Sequence, residues 1–325
     1  VATITATATY NGESVSTEFV VYVVTSPYLD NITVDGEPIE GFKKDKLDYS
    51  IKVPAGTSTV PAIEPVSESE DLEITVVQDI QAIPGIKIIR SENKITHEVA
   101  VYRVGIGCEP IETDFTEGEA AALAKGWYFI NKNDNAVFGE AGLTITTERG
   151  TFSNPEAKPK NVFMMSAMGD WVAQTQVKFD PVPSASNQQG GLIMYDDDNN
   201  YIRFVYERPT SGSTNVVQVY NVVNGSESQA YSANLASASG VYLQIVKNGN
   251  TYTFKYSQNG INWTTFGTIT AGYVLPQIGL YATNGNTDAA PVNVTFEKLS
   301  IYELSELYPR LSSISIDGVP LGEFN

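Results

Sequence analysis

The chain has one cysteine, Cys108, and one histidine, His97, in 325 residues. A single cysteine closes no disulfide within the chain, so packing alone must hold its domains. Cys108 has no neighbouring histidine and no CxxC partner, which argues against a reactive thiol. His97 lies in an alternating segment near 97–104 that reads as a strand, where a lone histidine has a structural role. Nucleophilic triads and zinc centres therefore lack their residues. A phosphate-cradling glycine loop is also absent. Basic residues are scarce: 20 Lys and Arg face 38 Asp and Glu, for a net charge of −18. Nucleic acid and anionic lipid would be repelled, whereas a neutral polysaccharide carries no such penalty. The same acidity also serves solubility alone. No apolar run reaches the ~18 residues of a membrane span. The run EFVVYVV at 18–24 is short and reads as a strand. No signal peptide is present, and the chain opens inside the strand pattern ATITATATY and stops at Phe324-Asn325. It reads as a piece of a longer, secreted bacterial protein, and as a monomer.

Tyrosine (18) and phenylalanine (13) are plentiful, and 42% of residues are hydrophobic. Val, Ile and Thr recur in short alternating runs, the signature of strands. The clearest organising feature is a repeat. LDNITVDGEPIEGF at 29–42 returns as LSSISIDGVPLGEF at 311–324, 282 residues on. Leu29, Ile32, Asp35, Gly36, Pro38 and Phe42 correspond to Leu311, Ile314, Asp317, Gly318, Pro320 and Phe324. Each copy reads as a strand followed by an Asp-Gly turn. Four segments follow. Residues 1–26 read as a hairpin closing on Asn11-Gly12, the end of an Ig-like domain. Residues 27–108 read as a small Ig-like sandwich, 109–304 as the main sandwich, and 305–325 as the truncated start of a second small module.

Strands are expected in the central segment at 172–179, 191–195, 201–207, 215–222, 241–247, 251–257, 276–282 and 292–299. Only 117–125, EGEAAALAK, looks helical. No βαβ alternation occurs, which disfavours parallel sheets and barrels.

The run GWYFINKN…GLTITTERG…NVFMMSAMGDWVAQTQVKFDP…QQGGLIMYDDDNNYIRF, with VYLQIVKNGNTYTFKYSQNGINW and PQIGLYA, resembles a known family. It is similar to the concanavalin-A-like domain at the C-terminus of glycoside hydrolase family 43 β-xylosidases, over about 111–303. The flanking repeats resemble bacterial cadherin-like modules, and 1–26 resembles the tail of a bacterial Ig-like domain. The resemblance implies an all-β chain, a concanavalin-A-like (jelly-roll) β-sandwich flanked by Ig-like β-sandwich modules. It also implies a secreted, multi-modular glycoside hydrolase whose catalytic domain lies elsewhere in the polypeptide. One departure stands out: Ig-like modules precede the sandwich here, whereas in the family it follows a catalytic propeller. Xylan, arabinoxylan or arabinan is the ligand class by resemblance alone.

Strand alternation sorts candidate binding residues. In 201–207, Ile202, Phe204 and Tyr206 share one face, and Tyr201, Arg203, Val205 and Glu207 the other. The outward sets of four strands comprise Tyr201, Arg203, Gln174, Gln176, Gln218, Tyr220, Tyr242 and Gln244. Tyrosine offers flat apolar surface to sugar CH groups, and amide and guanidinium groups match hydroxyls. One reading is a concave sugar-binding face; the other is an ordinary solvated sheet face. The loop Asp196-Asp197-Asp198-Asn199-Asn200 is either a calcium loop or a turn. Asp114 and Glu297 could pair the first and last strands around a structural calcium. Trp171 falls in phase with core residues and Trp263 follows a hairpin turn. Trp127 is open between core and sugar platform. Thirty-eight acids leave a glycosidase pair open on composition, but no catalytic fold is recognisable, so the chain reads as non-catalytic.

Overall fold

The computed structural model describes residues 2–21, 26–211, 213–235, 238–304, 315–316 and 319–320. The chain divides into two compact units: Val1–Tyr49 with Val60–Gln81 and Ile86–Val104, and Ser50–Thr59 with Ala82–Gly85 and Gly105–Asn325.

In the first unit, β1 (Ala2–Tyr10) and β2 (Glu13–Val21) form an antiparallel hairpin. Its turn places Asn11 at φ 51° and Gly12 at φ 85°. Positive φ at both central residues matches the right-handed twist of the strands, and Asn-Gly tolerates it best. Five short strands follow: β3 (Asn31–Val34), β4 (Glu37–Pro38), β5 (Asp48–Val53), β6 (Ile63–Val66) and β7 (Leu72–Gln78). The longer β8 (Gly85–Asn93) and β9 (Val99–Cys108) complete the set. They build a three-stranded sheet, β4-β3-β6, and a four-stranded sheet, β5-β9-β8-β7. Leu29, Ile32, Tyr49, Ile63, Leu72, Ile89 and Tyr102 are buried. Tyr102 anchors this interior: its hydroxyl accepts from Leu29 N (3.0 Å) and donates to Lys44 O (2.7 Å). His97 does not lie in a strand. It stands at φ 59° in the turn before β9, exposed, 3.1 Å from Glu92 Oε1. The turn is fixed by Asn93, whose side chain accepts from the Ile95 and Thr96 amides.

Beyond the ends of β5 and β9, the second unit continues with β10 (Thr113–Asp114), a 3-10 turn at Phe115–Glu117 and α1 (Glu119–Ala124). Next come β11 (Tyr128–Ile130), β12 (Ala136–Gly139), β13 (Gly142–Thr146) and β14 (Val162–Ser166). The long strands are β15 (Trp171–Asp180), β16 (Gln189–Asp197), β17 (Asn200–Glu207), β18 (Val216–Val223), β19 (Ser226–Asn234) and β20 (Gly240–Asn248). Then follow β21 (Thr251–Ser257), β22 (Thr264–Thr270), β23 (Gln277–Thr283), β24 (Asn293–Phe296) and β25 (Lys298–Glu303). Every pairing is antiparallel.

Two sheets result. A seven-stranded one runs β11-β14-β23-β16-β17-β18-β19. A nine-stranded one runs β12-β13-β24-β15-β20-β21-β22, with β25 joining β15 to β10. Period-two alternation sends one set of side chains from each sheet into a shared interior. Ile202, Phe204, Tyr206, Val217 and Val219 come from the seven-stranded sheet; Ala173, Val177, Phe179, Leu243 and Ile245 come from the other. This is a β-sandwich. Trp171 lies in that core, as its phase predicts. Trp127 lies there too: it packs on Phe115 and Phe163, and its Nε1 donates to Thr113 Oγ1 at 2.7 Å.

A second apolar cluster covers part of the outer face of the seven-stranded sheet. Phe152, Val162, Met164, Ile193, Tyr201, Val205, Val222 and Tyr281 form it. Phe152 is the cause. It hangs from the loop between β13 and β14 and packs on Tyr201 at 4.9 Å and Tyr195 at 5.4 Å between ring centroids. A strand of the sheet interior can therefore be buried on both faces, and β17 is.

Of the second repeat copy, Leu311, Ile314, Asp317, Gly318 and Phe324 lie outside the described residues. The described part is β26 (Ser315–Ile316) paired with β27 (Val319–Pro320). Its register, Ser315↔Pro320 and Ile316↔Val319, repeats Thr33↔Pro38 and Val34↔Glu37 of the first copy. Among the described residues, no helix is long and apolar enough to cross a membrane.

Candidate functional site

The outer face of the seven-stranded sheet carries a cleft of about 760 Å³. Its floor is made by β17 and β18, and its walls by the β13–β14 loop, the segment after β23 and the β18–β19 hairpin. The strand register explains the floor. Tyr201 pairs with Val222 and Arg203 with Tyr220, so Tyr201, Arg203, Tyr220 and Val222 point out together. Glu207 lies on the same face, four residues beyond Arg203. Glu227 reaches in from the edge strand β19.

Arg203 is the centre of the arrangement and is only 8% exposed. Its Nη1 donates to Gln189 Oε1, and its Nη2 donates to Glu227 Oε2 at 2.6 Å. Its guanidinium lies over the Tyr220 ring, 4.1 Å from the centroid. Burial works against its charge, but Tyr281, Glu227 and Glu207 outweigh that and hold its pKa above the ordinary value. Burial pushes Tyr201 up to about 12 and raises Tyr220 and Tyr281 further, so all three phenols are neutral donors.

Glu207 is 2% exposed. Its Oε1 meets the Tyr220 hydroxyl at 2.7 Å, and no donor among the described residues reaches Oε2. Burial raises its pKa, against the Tyr220 hydrogen bond and the Arg203 charge, which lower it. The Tyr220 hydroxyl also meets Gln218 Oε1. One hydroxyl proton cannot serve two acceptors. A protonated Glu207 supplies the second proton, and so does a turned Gln218 amide that accepts from Ser232.

A stability prediction follows. The folded-state pKa of Glu207 lies above its unfolded value of about 4.3. Its favourable contribution is therefore complete below that pH and is lost as pH rises through the folded value. Glutamine keeps an acceptor for Tyr220 and stays neutral. Glu207→Gln is expected to melt with the wild type at about pH 4 and above it at neutral pH and beyond. Melting curves across that range check this; a gain that does not grow with pH contradicts it.

The rim is rich in amides and hydroxyls. Asn154, Asn187, Gln189, Asn199, Thr151 and Asn286 all line the cleft. Asn286 is held by Arg149, whose Nε and Nη2 donate to its Oδ1 at 3.1 and 2.9 Å. A second depression of about 450 Å³ adjoins the cleft, shares Thr210 and Tyr220 with it, and runs over Gln218, Gln229 and Ser232. Tyr201 and Tyr281 are buried and Tyr220 is half-buried, so the cleft meets a ligand mainly with fixed amides and hydroxyls, which match the hydroxyls of a polyhydroxylated ligand.

The structure corrects several sequence expectations. The eight candidate residues do not form one face. Tyr201, Arg203, Gln218 and Tyr220 stand on the seven-stranded sheet. Gln174, Gln176, Tyr242 and Gln244 stand on the nine-stranded sheet, on strands β15 and β20, and share no cleft with the first set. Period-two reading separates inward from outward but does not say which sheet a strand joins. Gln174, Gln176 and Tyr242 line a shallow depression of about 160 Å³ instead. Gln244 is buried and donates to Gln174 Oε1 at 3.0 Å. Tyr201, at 3% exposure, and Arg203 do not face open water. The Phe152 loop and the β19 edge close over them and leave them as cleft floor.

The calcium expectation fares differently at each residue. Asp114 caps the 3-10 turn, accepting from Thr116 N at 2.8 Å and Thr116 Oγ1 at 2.6 Å. Glu297 pairs with Lys178 at 3.2 Å. In the 196–200 loop, Asp197 accepts from Asn199 N and Asn200 Nδ2, and Asp198 from Lys158 and Tyr195. These acids are spoken for by the protein's own donors. No group of three or more His, Cys, Asp or Glu residues suited to a metal occurs among the described residues. Sequence reasoning overlooked Glu227, Gln189, Asn154 and Asn286 as site residues. Polar edge strands and loops carry no periodicity, although the asparagine-rich turns at 153–154 and 284–286 mark where walls could rise.

Comparison with known proteins places the chain. Residues 113–297 match the family model described as the β-xylosidase C-terminal concanavalin-A-like domain. The structure is similar to the GH43 protein BlXynB of Bacillus licheniformis, with TM-score 0.52 and 15% identity, covering 91% of this chain and 64% of that one. It is also similar to a xylan β-1,4-xylosidase of Bacillus halodurans, with TM-score 0.51 and 12% identity, covering 67% of this chain and 51% of that one. At such identity the likeness shows the fold alone, and the chain spans between half and two thirds of those enzymes' lengths. No curated protein matches. The family match takes in more than half of the chain, and the chain belongs to the β-xylosidase C-terminal concanavalin-A-like domain family.

Proposed function

We propose that this chain is a non-catalytic saccharide-binding module of a secreted, multi-modular glycoside hydrolase, and that the cleft over β17 and β18 is its binding site. The cleft itself carries the reading: about 760 Å³, with Tyr201, Tyr220 and Tyr281 around a fixed Arg203, and an amide rim. A depression that continues it suits a ligand longer than one sugar. The family and the enzymes it resembles supply the substrate class, plant cell-wall polysaccharide such as xylan, arabinoxylan or arabinan. A catalytic domain of the same polypeptide would do the hydrolysis. The twofold use of one hairpin register supports a spacer role for the flanking segments.

Native gels cast with arabinoxylan, arabinan or xylan test this. The chain is expected to be retarded in at least one, and Asn154→Ala with Asn286→Ala to relieve the retardation. Asn286 is exposed and Asn154 is half-buried, both on loops outside the core, so the double variant is expected to keep its fold. Unchanged migration of the wild type in all three gels contradicts the binding role and favours a spacer that positions its enzyme. Release of reducing sugar by this chain alone contradicts the non-catalytic reading.

A further inference from the structure

The charges of the cleft allow a narrower statement about its ligand, one that rests on the saccharide-binding reading above. Four charged residues line it: Asp198, Arg203, Glu207 and Glu227. Arg203 is the sole cation among them. An arginine at the floor of a sugar cleft would ordinarily suit a uronic acid, because its fork grips carboxylates in two parallel hydrogen bonds. Here both Nη atoms are used, and Nε, which has no partner among the described residues, is buried out of a ligand's reach. Nη1 is given to Gln189 and Nη2 to Glu227, and one guanidinium face lies on Tyr220. Two further cations stand behind lining residues: Lys158 is paired with Asp198, and Arg149 is held by Asn286 and Asp288. An incoming carboxylate would therefore meet carboxyl groups and find no free positive partner. A neutral sugar meets a different surface. The Oε2 of Glu207, at the buried end of the cleft, has no partner among the described residues, and it offers a hydrogen bond to a hydroxyl.

We propose that Glu227 is a specificity-determining residue: by occupying Arg203 it turns the cleft toward neutral saccharides and against uronic acids. Glu227 sits on the edge strand β19 with its side chain 43% exposed. It is not part of the core, so replacing it alters the charge of the floor without opening the sandwich. Glutamine at this position keeps an amide oxygen for Nη2 but frees the charge of Arg203 for an outside carboxylate.

Calorimetric titration of the chain compares two probes, a neutral xylo-oligosaccharide and the same oligosaccharide bearing one glucuronic acid unit. The wild type is expected to bind the neutral probe about tenfold tighter or more, the worth of one charge-assisted hydrogen bond. Glu227→Gln is expected to raise the acidic-to-neutral affinity ratio by about the same factor. The wild-type ratio should also rise with added salt, which screens the repulsion. That readout needs no variant. Equal binding of both probes by the wild type, or a ratio that Glu227→Gln leaves in place, overturns this inference and leaves saccharide binding standing. Binding of neither probe, in a chain that also migrates freely in all three polysaccharide gels, overturns both.

Discussion

Arg203→Ala is expected to cost about 3 kcal/mol of folding stability and to abolish polysaccharide retardation. Arg203 is 8% exposed and joins β17 to β16 through Gln189 and to β19 through Glu227. Truncation leaves the buried Gln189 oxygen without its donor and Glu207 without its nearest positive charge. It also removes the flat partner of the Tyr220 ring, worth about 0.5–2 kcal/mol by itself. The partial exposure of Glu227 keeps the loss at the low end of the 3–5 kcal/mol typical of a broken buried pair. Arg203→Lys makes the argument sharper. Lysine keeps the charge but is a point donor, and it cannot hold Gln189 and Glu227 at the two ends of a planar fork. It is expected to fall between wild type and alanine. Chemical denaturation measures the loss; a change within about 0.5 kcal/mol for alanine would show that the network does not hold the sheet.

Gly191→Ala is expected to be as damaging, for a reason without chemistry. Gly191 lies in β16, between Val205 of β17 and Tyr281 of β23. A Cβ built there collides with the Phe204 carbonyl oxygen and comes within 2.8 Å of the Val205 Cα. Backbone on a central strand cannot step aside as a flexible side chain can. The expected cost is about 3 kcal/mol, at the upper end for overpacking, with a lower melting temperature and loss of binding as β17 is displaced. Gly139→Ala in β12 is the control. Nothing lies within 4 Å of a Cβ there, so the change should stay within about 0.5 kcal/mol. Equal stability of the two variants would contradict the strand register.

Fold and site were legible to different depths. The strands at 172–179, 201–207 and 241–247 stand out because valine, isoleucine and aromatics alternate with polar residues along them. The same rule put Ile202, Phe204 and Tyr206 in the interior, where they lie. It failed for β19, SESQAYSAN, which sits at a sheet edge and has little to bury. It also failed for the short strands from Tyr128 to Thr146, of which β11 and β13 pair with strands far along the chain. Tyr201 and Arg203 were singled out for a solvated face. They belong to a cleft because Phe152, fifty residues away in a loop of no regular pattern, covers the neighbouring surface. Alternation records which side of a strand is apolar. It holds no record of what a loop later places over the other side, nor of which sheet receives the strand. That is why Gln174 and Gln244 were grouped with Arg203 and stand on the other sheet.

The central claim is that one face of one sheet takes the sugar. Backbone amide shifts of the labelled chain, followed by NMR during titration with a neutral xylo- or arabino-oligosaccharide, test it residue by residue. Shifts should gather at Tyr201, Arg203 and Tyr220 and in the walls at 151–155, 225–227 and 285–286. Shifts gathered instead on β15 and β20, around Gln174 and Tyr242, would contradict it.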